Sequence, residues 1–286
     1  MSQPVFAVIG GSGFYQGFEQ LASHTLDTPW GETSAPVIES SLEGRPCFFL
    51  ARHGARHHLL PHEVPYRANI FALKRLGVTH VLSVSAVGSL QEEIAPGHVV
   101  LPDQYIDLTR RRASTFFGDG LVVHVAFANP VCPVLWESLR RAGEQDAVPV
   151  HLGGTYVCMD GPQFSTRAES HMYRAWGARV IGMTNLPEAK LAREAELHYA
   201  ALAMPSDYDC WREDEEHVSV DSIMELLGRN VDTAKRLIRR VLAAWDDAPS
   251  SCDCAQALHR GLMCELDNVG EQQRALLGVL APDLLT

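Results

Sequence analysis

Short apolar runs alternate with longer amphipathic stretches along most of the chain. Val5 to Ile9 is apolar and stops at Gly10-Gly11-Ser12-Gly13. Pro46 to Ala51 ends at Arg52-His53-Gly54, and His80 to Ser85 ends at Ala86-Val87-Gly88-Ser89. With Val99 to Pro102, Gln104 to Ile106, Arg179 to Met183 and Tyr199 to Met204, these runs are predicted strands. Between them, Ile70, Phe71, Leu73 and Lys74 give a mostly apolar stripe to a helix over Tyr66 to Leu76, with Gly77 as its stop. Cys132 to Arg141 reads as a helix. Thr166-Arg-Ala-Glu169 offers a capping box for another. Asn185-Leu-Pro-Glu188 predicts an N-cap, a proline near N1 and a box acid for a helix running to about Leu197. Asp221 to Trp245 is a long amphipathic helix. Strands alternating with helices predict an α/β fold with a covered, largely parallel sheet. No repeat or linker divides it, so residues 1–245 read as one domain and 246–286 as an extension packed on it.

Composition narrows the classes. The chain has 286 residues, 46% of them hydrophobic, which is ample for a large core. Its net charge of −11 argues against a nucleic-acid or anionic-membrane surface, though not against a small anion held locally. No apolar run approaches the ~20 residues of a membrane span. The N-terminal apolar run lacks a basic lead and ends in glycines, so it reads as a core strand and not a signal peptide. Seven scattered cysteines fit a reducing cytoplasm.

Several predicted strands end in residues that suit an anion. Ser12, Arg52, His53, Ser85 and Thr184 lie beyond carboxyl ends of strands, where open α/β sheets bind ligands. Thr184 also precedes a helix N-terminus, which favours negative charge. A single such hydroxyl is usually a cap; five at one sheet edge form a candidate phosphate site. After Tyr199 to Met204 comes Asp207-Tyr208-Asp209. On extended backbone both acids would face one place, suited to N–H donors and to proton exchange; the alternative is two solvated loop aspartates. The spacing Gly11-x-Gly13-x-x-x-Gly17 does not fit a dinucleotide fingerprint, and no P-loop is present. His53, His57, His58 and His62 lack metal-ligand spacing. Cys252-Asp253-Cys254 reads as a solvated loop in preference to a redox pair.

In this order, Ile9-Gly-Gly-Ser-Gly13, Ala51-Arg-His-Gly54, Ser85-Ala-Val-Gly-Ser-Leu90, Asp160-Gly-Pro-Gln-Phe-Ser-Thr-Arg-Ala-Glu169, Gly182-Met-Thr-Asn-Leu-Pro-Glu188 and Ser206-Asp-Tyr-Asp-Cys-Trp211 resemble the 5′-methylthioadenosine phosphorylases of the trimeric purine nucleoside phosphorylase family. The resemblance covers about residues 4 to 245. It implies a three-layer α/β/α fold with a mixed, mostly parallel central sheet. It also implies phosphorolysis of 5′-methylthioadenosine to adenine and 5-methylthioribose 1-phosphate in purine and methionine salvage. Phosphate would be a co-substrate, with no metal or organic cofactor. It assigns phosphate to Ser12, Arg52, His53, Ser85, Ala86 and Thr184, and the ribose to Met183. Phe164 would pack on the base, with Asp207 as acid at N7 and Asp209 as its partner. Ser165, Val220 and Met224 would shape specificity, the last two around the methylthio group. His124 would reach a neighbouring site in a homotrimer.

The carboxylate pair also implies base choice. A carboxylate accepts from the 6-amino group of adenine but meets a 6-carbonyl oxygen without a donor. Asn185, where animal relatives tend to have Thr, Met224, where they have Leu, and Pro205 depart from the family pattern. The competing classes are a hydrolytic nucleosidase, a nucleoside-binding protein without chemistry, and a dinucleotide oxidoreductase.

Overall fold

The computed structural model describes residues 3–11, 14, 18–212, 220–246 and 251–285, with side chains in the last long helix described from residue 225 onward. In chain order the elements are β1 (Phe6–Gly10), β2 (Ala22–His24), β3 (Asp27–Thr28), β4 (Gly31–Glu32), β5 (Val37–Leu42), β6 (Arg45–Ala51), α1 (Tyr66–Arg75), β7 (His80–Ser89), β8 (Val99–Leu101) and β9 (Gln104–Asp107). There follow α2 (Pro133–Glu144), β10 (Val150–Leu152), β11 (Thr155–Cys158), α3 (Arg167–Ala175), β12 (Ala178–Gly182), α4 (Asn185–Glu194), β13 (His198–Asp207), α5 (Val220–Ala243) and α6 (Glu271–Leu280).

One large sheet runs in the order β10-β8-β13-β7-β1-β6-β5-β2, and β12, β11 and β9 branch from β7. The central pairs β6/β1, β1/β7 and β7/β13 are parallel, whereas β5, β2 and the β7–β12 pair are antiparallel. Side chains alternate strictly between two cores. Ala7 and Ile9 join one, with Ile70 of α1, Ala189 of α4 and Leu277 of α6. Phe6 and Val8 join the other, with Leu135 of α2 and Ile238 of α5. Burying both faces of β1 explains why it reads as an unbroken apolar run, and helices on both sides give three layers. Each fully buried Leu, Ile or Phe contributes about 1.5–3 kcal/mol relative to exposure. Residues after 250 pack on the same core, through Leu258, Leu276, Leu277 and Leu280.

Both α2 and α3 are capped by side chains, α3 by the box that the sequence predicts. Cys132 caps α2, its Sγ accepting the Leu135 N–H at 3.5 Å. Thr166 and Glu169 complete the reciprocal box on α3. At α4 the expectation fails. Leu186 is extended (φ −121°, ψ 133°), so the continuous helix starts only after it, and neither Asn185 nor Glu188 acts as a cap. Both side chains instead turn into the sheet. The strand expected over His80 to Ser85 runs on to Ser89, which lays Ala86 beside Met204 and Gly88 beside Asp207.

Candidate active site

Arg52 and His53 follow β6, Thr184 follows β12 and Asp207 ends β13, while Ser85 and Ala86 lie within β7. The Gly10 carbonyl at the end of β1 accepts the Arg52 N–H at 2.9 Å, which fixes the corner after β6. The Arg52 side chain points inward and is only 2% exposed. Its Nε and Nη2 donate to Glu188 at 2.7 and 3.1 Å, Nη2 also to Ser83 Oγ at 2.7 Å, and Nη1 to the Val84 carbonyl at 3.0 Å. The guanidinium therefore lies beneath Ser83 and Val84, just before Ser85, with much of its donor capacity held by Glu188.

His53 Nδ1 is 2.9 Å from the Leu59 carbonyl, which only accepts, so that nitrogen carries the proton and Nε2 is left as an acceptor. Burial, together with the nearby Arg52 charge, lowers the His53 pKa to about 4. The ring is neutral near pH 7. The His53 and His57 rings lie 4.6 Å apart and tilted by 30°, but His53, His57, His58 and His62 do not converge as a ligand set among the described residues.

Ser85 and Thr184 are both buried. Ser85 Oγ donates to Asn185 Oδ1 at 3.2 Å, and Asn185 Nδ2 donates to Tyr199 Oη at 2.7 Å. Tyr199 in turn donates to Glu188 at 2.9 Å, so a continuous polar chain runs from Arg52 through Glu188 to Ser85. Beside Ser85 and Thr184 stands the hydroxyl of Tyr156, fully buried on β11. No bond of normal geometry satisfies Tyr156 Oη or Thr184 Oγ1 among the described residues. Burial holds the Tyr156 phenol well above its usual pKa, so it is a neutral donor. Buried hydroxyls without partners cost about 1–3 kcal/mol each, a cost that a bound anion would offset. Ala86, exposed between the buried Ser85 and Val87, marks where the sheet opens.

At the end of β13 the two acids do converge, but not by the pleat of a strand. The strand stops at Asp207 and the chain turns. Asp209 is left-handed (φ 53°), and its N–H donates to Asp207 Oδ1 at 2.8 Å. Both side chains face Gly88: a Cβ there would lie 3.0 Å from Asp207 Oδ1 and 3.1 Å from Asp209 Cβ. Ser206 Oγ donates to the other Asp207 oxygen at 2.8 Å. Asp207 is open to solvent on one side and crowded by protein on the other. Crowding raises its pKa, and the Asp209 charge adds to the rise against the two hydrogen bonds. Asp209 Oδ2 is buried and unpartnered among the described residues.

The loop before α3 closes the third side. Cys210 Sγ donates to the Ser165 carbonyl at 3.1 Å, tying Ser165 to the acidic turn. Met183 packs under Gly161, where a Cβ would lie 2.6 Å from its sulfur. Phe164 is 82% exposed, which rules out a core role for it. His124 lies apart: it is exposed, and its N–H donates to the Gly261 carbonyl at 2.7 Å. Ser12 and the side chains of Val220 and Met224 fall outside the described residues.

Sequence reasoning missed Tyr156 and Glu188. Tyr156 sits inside an ordinary apolar strand, and Glu188 looked like a helix-box acid. The available signal for Tyr156 was Gly182, because a Cβ there would overlap the Tyr156 hydroxyl outright.

Buried hydroxyls beside a converging carboxylate pair, on a mixed sheet covered by helices, are the arrangement to be compared with the phosphorylase class. Residues 5–243 match the sequence model of the phosphorylase superfamily, and the chain belongs to it. Within it, the chain is 51% identical over 266 residues to the S-methyl-5′-thioadenosine phosphorylase of Geobacter sulfurreducens, covering 92% of this chain and 93% of that one. It is 49% identical over 278 residues to that of Thermosynechococcus vestitus, covering 96% of each. Among solved structures, a methylthioadenosine phosphorylase from an antarctic soil metagenomic library superposes with a TM-score of 0.92 at 46% identity, over 99% of this chain and 100% of that one. The Schistosoma mansoni methylthioadenosine phosphorylase in complex with adenine gives 0.85 at 34% identity, over 91% and 99%.

Proposed function

We propose that this chain catalyses the reversible phosphorolysis of 5′-methylthioadenosine to adenine and 5-methylthioribose 1-phosphate. The observation that carries this reading is the nearness of a hydroxyl cluster (Ser85 on β7, Thr184 after β12, both beside Tyr156) to the acid pair Asp207 and Asp209, which faces Gly88 of the same β7. A phosphate oxygen bonds to the anomeric carbon as the bond to N9 breaks, and the bonding pair leaves with the purine. The phosphate anion stabilises positive charge building on the ribose. A protonated Asp207 donates to N7 and relieves negative charge on the base. Its raised pKa supports that role.

In this reading Ser12, His53, Ser85, Thr184 and the Ala86 N–H hold phosphate. Arg52 supplies its charge from beneath and fixes the corner. Met183 lies under the ribose. Phe164, exposed here, becomes covered when the base packs on it. Ser165 orders the acidic turn, and Val220 and Met224 enclose the methylthio group. His124 reaches a neighbouring subunit's site in a homotrimer. Residues 1–245 form the catalytic domain, with 246–286 packed on it. The reaction calls for phosphate alone, without metal or organic cofactor, and belongs to salvage in the cytoplasm. No helix among the described residues is long and apolar enough to cross a membrane.

The test is adenine release from 5′-methylthioadenosine by purified protein with and without phosphate, alongside inosine. Release that depends on phosphate and strongly favours the adenine nucleoside is expected. Equal release without phosphate would make the chain a hydrolase. Binding without release would make it a non-catalytic receptor, and comparable cleavage of inosine would remove the acid pair from base selection.

A further inference from the structure

A second cluster lies at the opposite end of β13. Cys132, His198, Cys252 and Cys254 present one ligand atom each, all within 4.8 Å of one another. Cys132 Sγ is 3.6 Å from Cys252 Sγ and 3.3 Å from His198 Nδ1, and Cys252 Sγ is 3.2 Å from the same nitrogen. A tetrahedral zinc with bonds of about 2.3 Å to sulfur and about 2.0 Å to nitrogen puts its ligands roughly 3.5–3.8 Å apart. The three edges among Cys132 Sγ, Cys252 Sγ and His198 Nδ1 lie at or a little below that range, and every pair of ligand atoms, Cys254 included, lies within 4.8 Å. These edges are far longer than the ~2.05 Å of a disulfide. We propose that Cys132, His198, Cys252 and Cys254 form a structural zinc site of the Cys₃His type.

The surroundings hold the ligands in place. The Cys132 N–H donates to the Tyr199 carbonyl at 2.8 Å, and the His198 N–H to the Thr79 carbonyl at 2.9 Å. Cys132 also stands at the N-terminus of the twelve-residue α2, where the helix dipole favours a thiolate. The His198 ring stacks on His80 at 4.3 Å and 8°, and His80 is in turn edge-on to Trp245. The two remaining ligands come from the segment after the catalytic domain. Cys254 is 2% exposed and begins a short 3-10 turn, Cys254–Gln256. This corrects the reading of Cys252–Cys254 as a solvated loop.

A closed site with four protein ligands is the structural kind, with no position open for water. Nine residue steps of strand, about 30 Å, lie between His198 and Asp207, so the metal takes no part in the reaction. Its role is to clip the C-terminal segment to the N-terminus of α2 and the start of β13. Metal binding of this type adds to folding free energy directly. The reaction itself remains metal-free, and the inference does not rest on the proposed activity.

The experiment measures zinc by mass spectrometry in full-length protein purified under reducing conditions without chelators or immobilised-metal columns. About one zinc per chain is expected, falling to near zero in Cys252→Ser and Cys254→Ser but retained in the control Cys264→Ser. Cobalt(II) substitution should give the near-ultraviolet thiolate charge-transfer band of a tetrahedral site. A chelator should lower the unfolding midpoint of the unaltered protein and leave that of Cys254→Ser where it is. Wild-type protein that holds no zinc after incubation with excess zinc and reductant would overturn the proposal. So would a thiol count showing Cys252 and Cys254 joined in a disulfide under those conditions.

Discussion

Asp207 Oδ1 accepts the backbone N–H of Asp209 at 2.8 Å, so one acid is oriented by the chain that carries the other. Replacing Asp207 by Asn keeps that acceptor and the volume but removes the exchangeable proton. Asp207→Asn should leave the KM for phosphate within about twofold and lower kcat by about 10²–10⁴-fold, the usual range for a general acid. Because the Asp207 pKa is raised, the wild-type rate should decline on the alkaline side as the acid loses its proton, and this limb should vanish in the variant. Steady-state rates across pH check both. A near-wild-type kcat would remove Asp207 from the acid role.

Tyr156 offers a buried neutral hydroxyl beside Ser85 and Thr184. Tyr156→Phe should raise the KM for phosphate by roughly tenfold, the value of about one hydrogen bond to a charged group, with little change for the nucleoside. An unchanged phosphate KM would show that the hydroxyl does not face the anion.

Gly182 leaves space for that hydroxyl. Gly182→Ala should destabilise the protein by about 1–3 kcal/mol through overpacking. The same change in a Tyr156→Phe background should cost measurably less. Denaturant unfolding of the two single variants and the double variant reads the coupling; strict additivity would mean that the two residues do not compete for the space.

The Arg52–Glu188 pair is almost wholly buried, each side chain 2% exposed. Glu188 accepts from Arg52, Ser83 and Tyr199 together. Glu188→Gln offers one acceptor oxygen where two are used and leaves the guanidinium without its counter-charge. A loss of about 3–5 kcal/mol is expected, since breaking a buried pair strands the other charge. Thermal or denaturant unfolding measures it, and a loss under about 1 kcal/mol would show that Arg52 finds other partners.

Glu194 accepts from Thr115 Oγ1 and the Phe116 N–H, yet burial outweighs both bonds and raises its pKa to about 7. The folded protein thus binds a proton that the unfolded chain releases near pH 4.5. This stability is fully present below about pH 4.5 and is lost as pH rises through about 7. Its size is on the order of 3 kcal/mol. Glu194→Gln should flatten that part of the stability–pH curve; an unchanged slope between pH 5 and about 7 would contradict the assignment.

Much of the scaffold was legible because it is written in local patterns. The β1 run Phe6–Gly10 is apolar at every position since both faces are covered, and Thr166 and Glu169 cap α3 through neighbours three residues apart. Thr184 and Asp207 were legible as strand ends for the same reason, whereas Ser85 lies inside β7, which runs on to Ser89. Asn185 and Glu188 were misread because their spacing imitates a helix start, while their partners, Ser85 and Arg52, lie 100 and 136 residues away. No local signal carries such a pairing.

The sequence by itself determined the α/β class, the alternation of β1, β6, β7, β8, β9, β12 and β13 with α1 to α5, and Thr184 and Asp207 as strand-end residues, since periodicity and caps act over a few residues. The elements β2 to β5, β10, β11 and α6 were not legible in it. Only the tertiary structure decided that Asp207 and Asp209 meet over Gly88 through a turn, that Tyr156 enters the space beside Ser85 and Thr184, and that Cys252 and Cys254 come back to Cys132 and His198. Those encounters are set by sheet register and by how the last segment packs, and both depend on contacts between residues far apart in the chain.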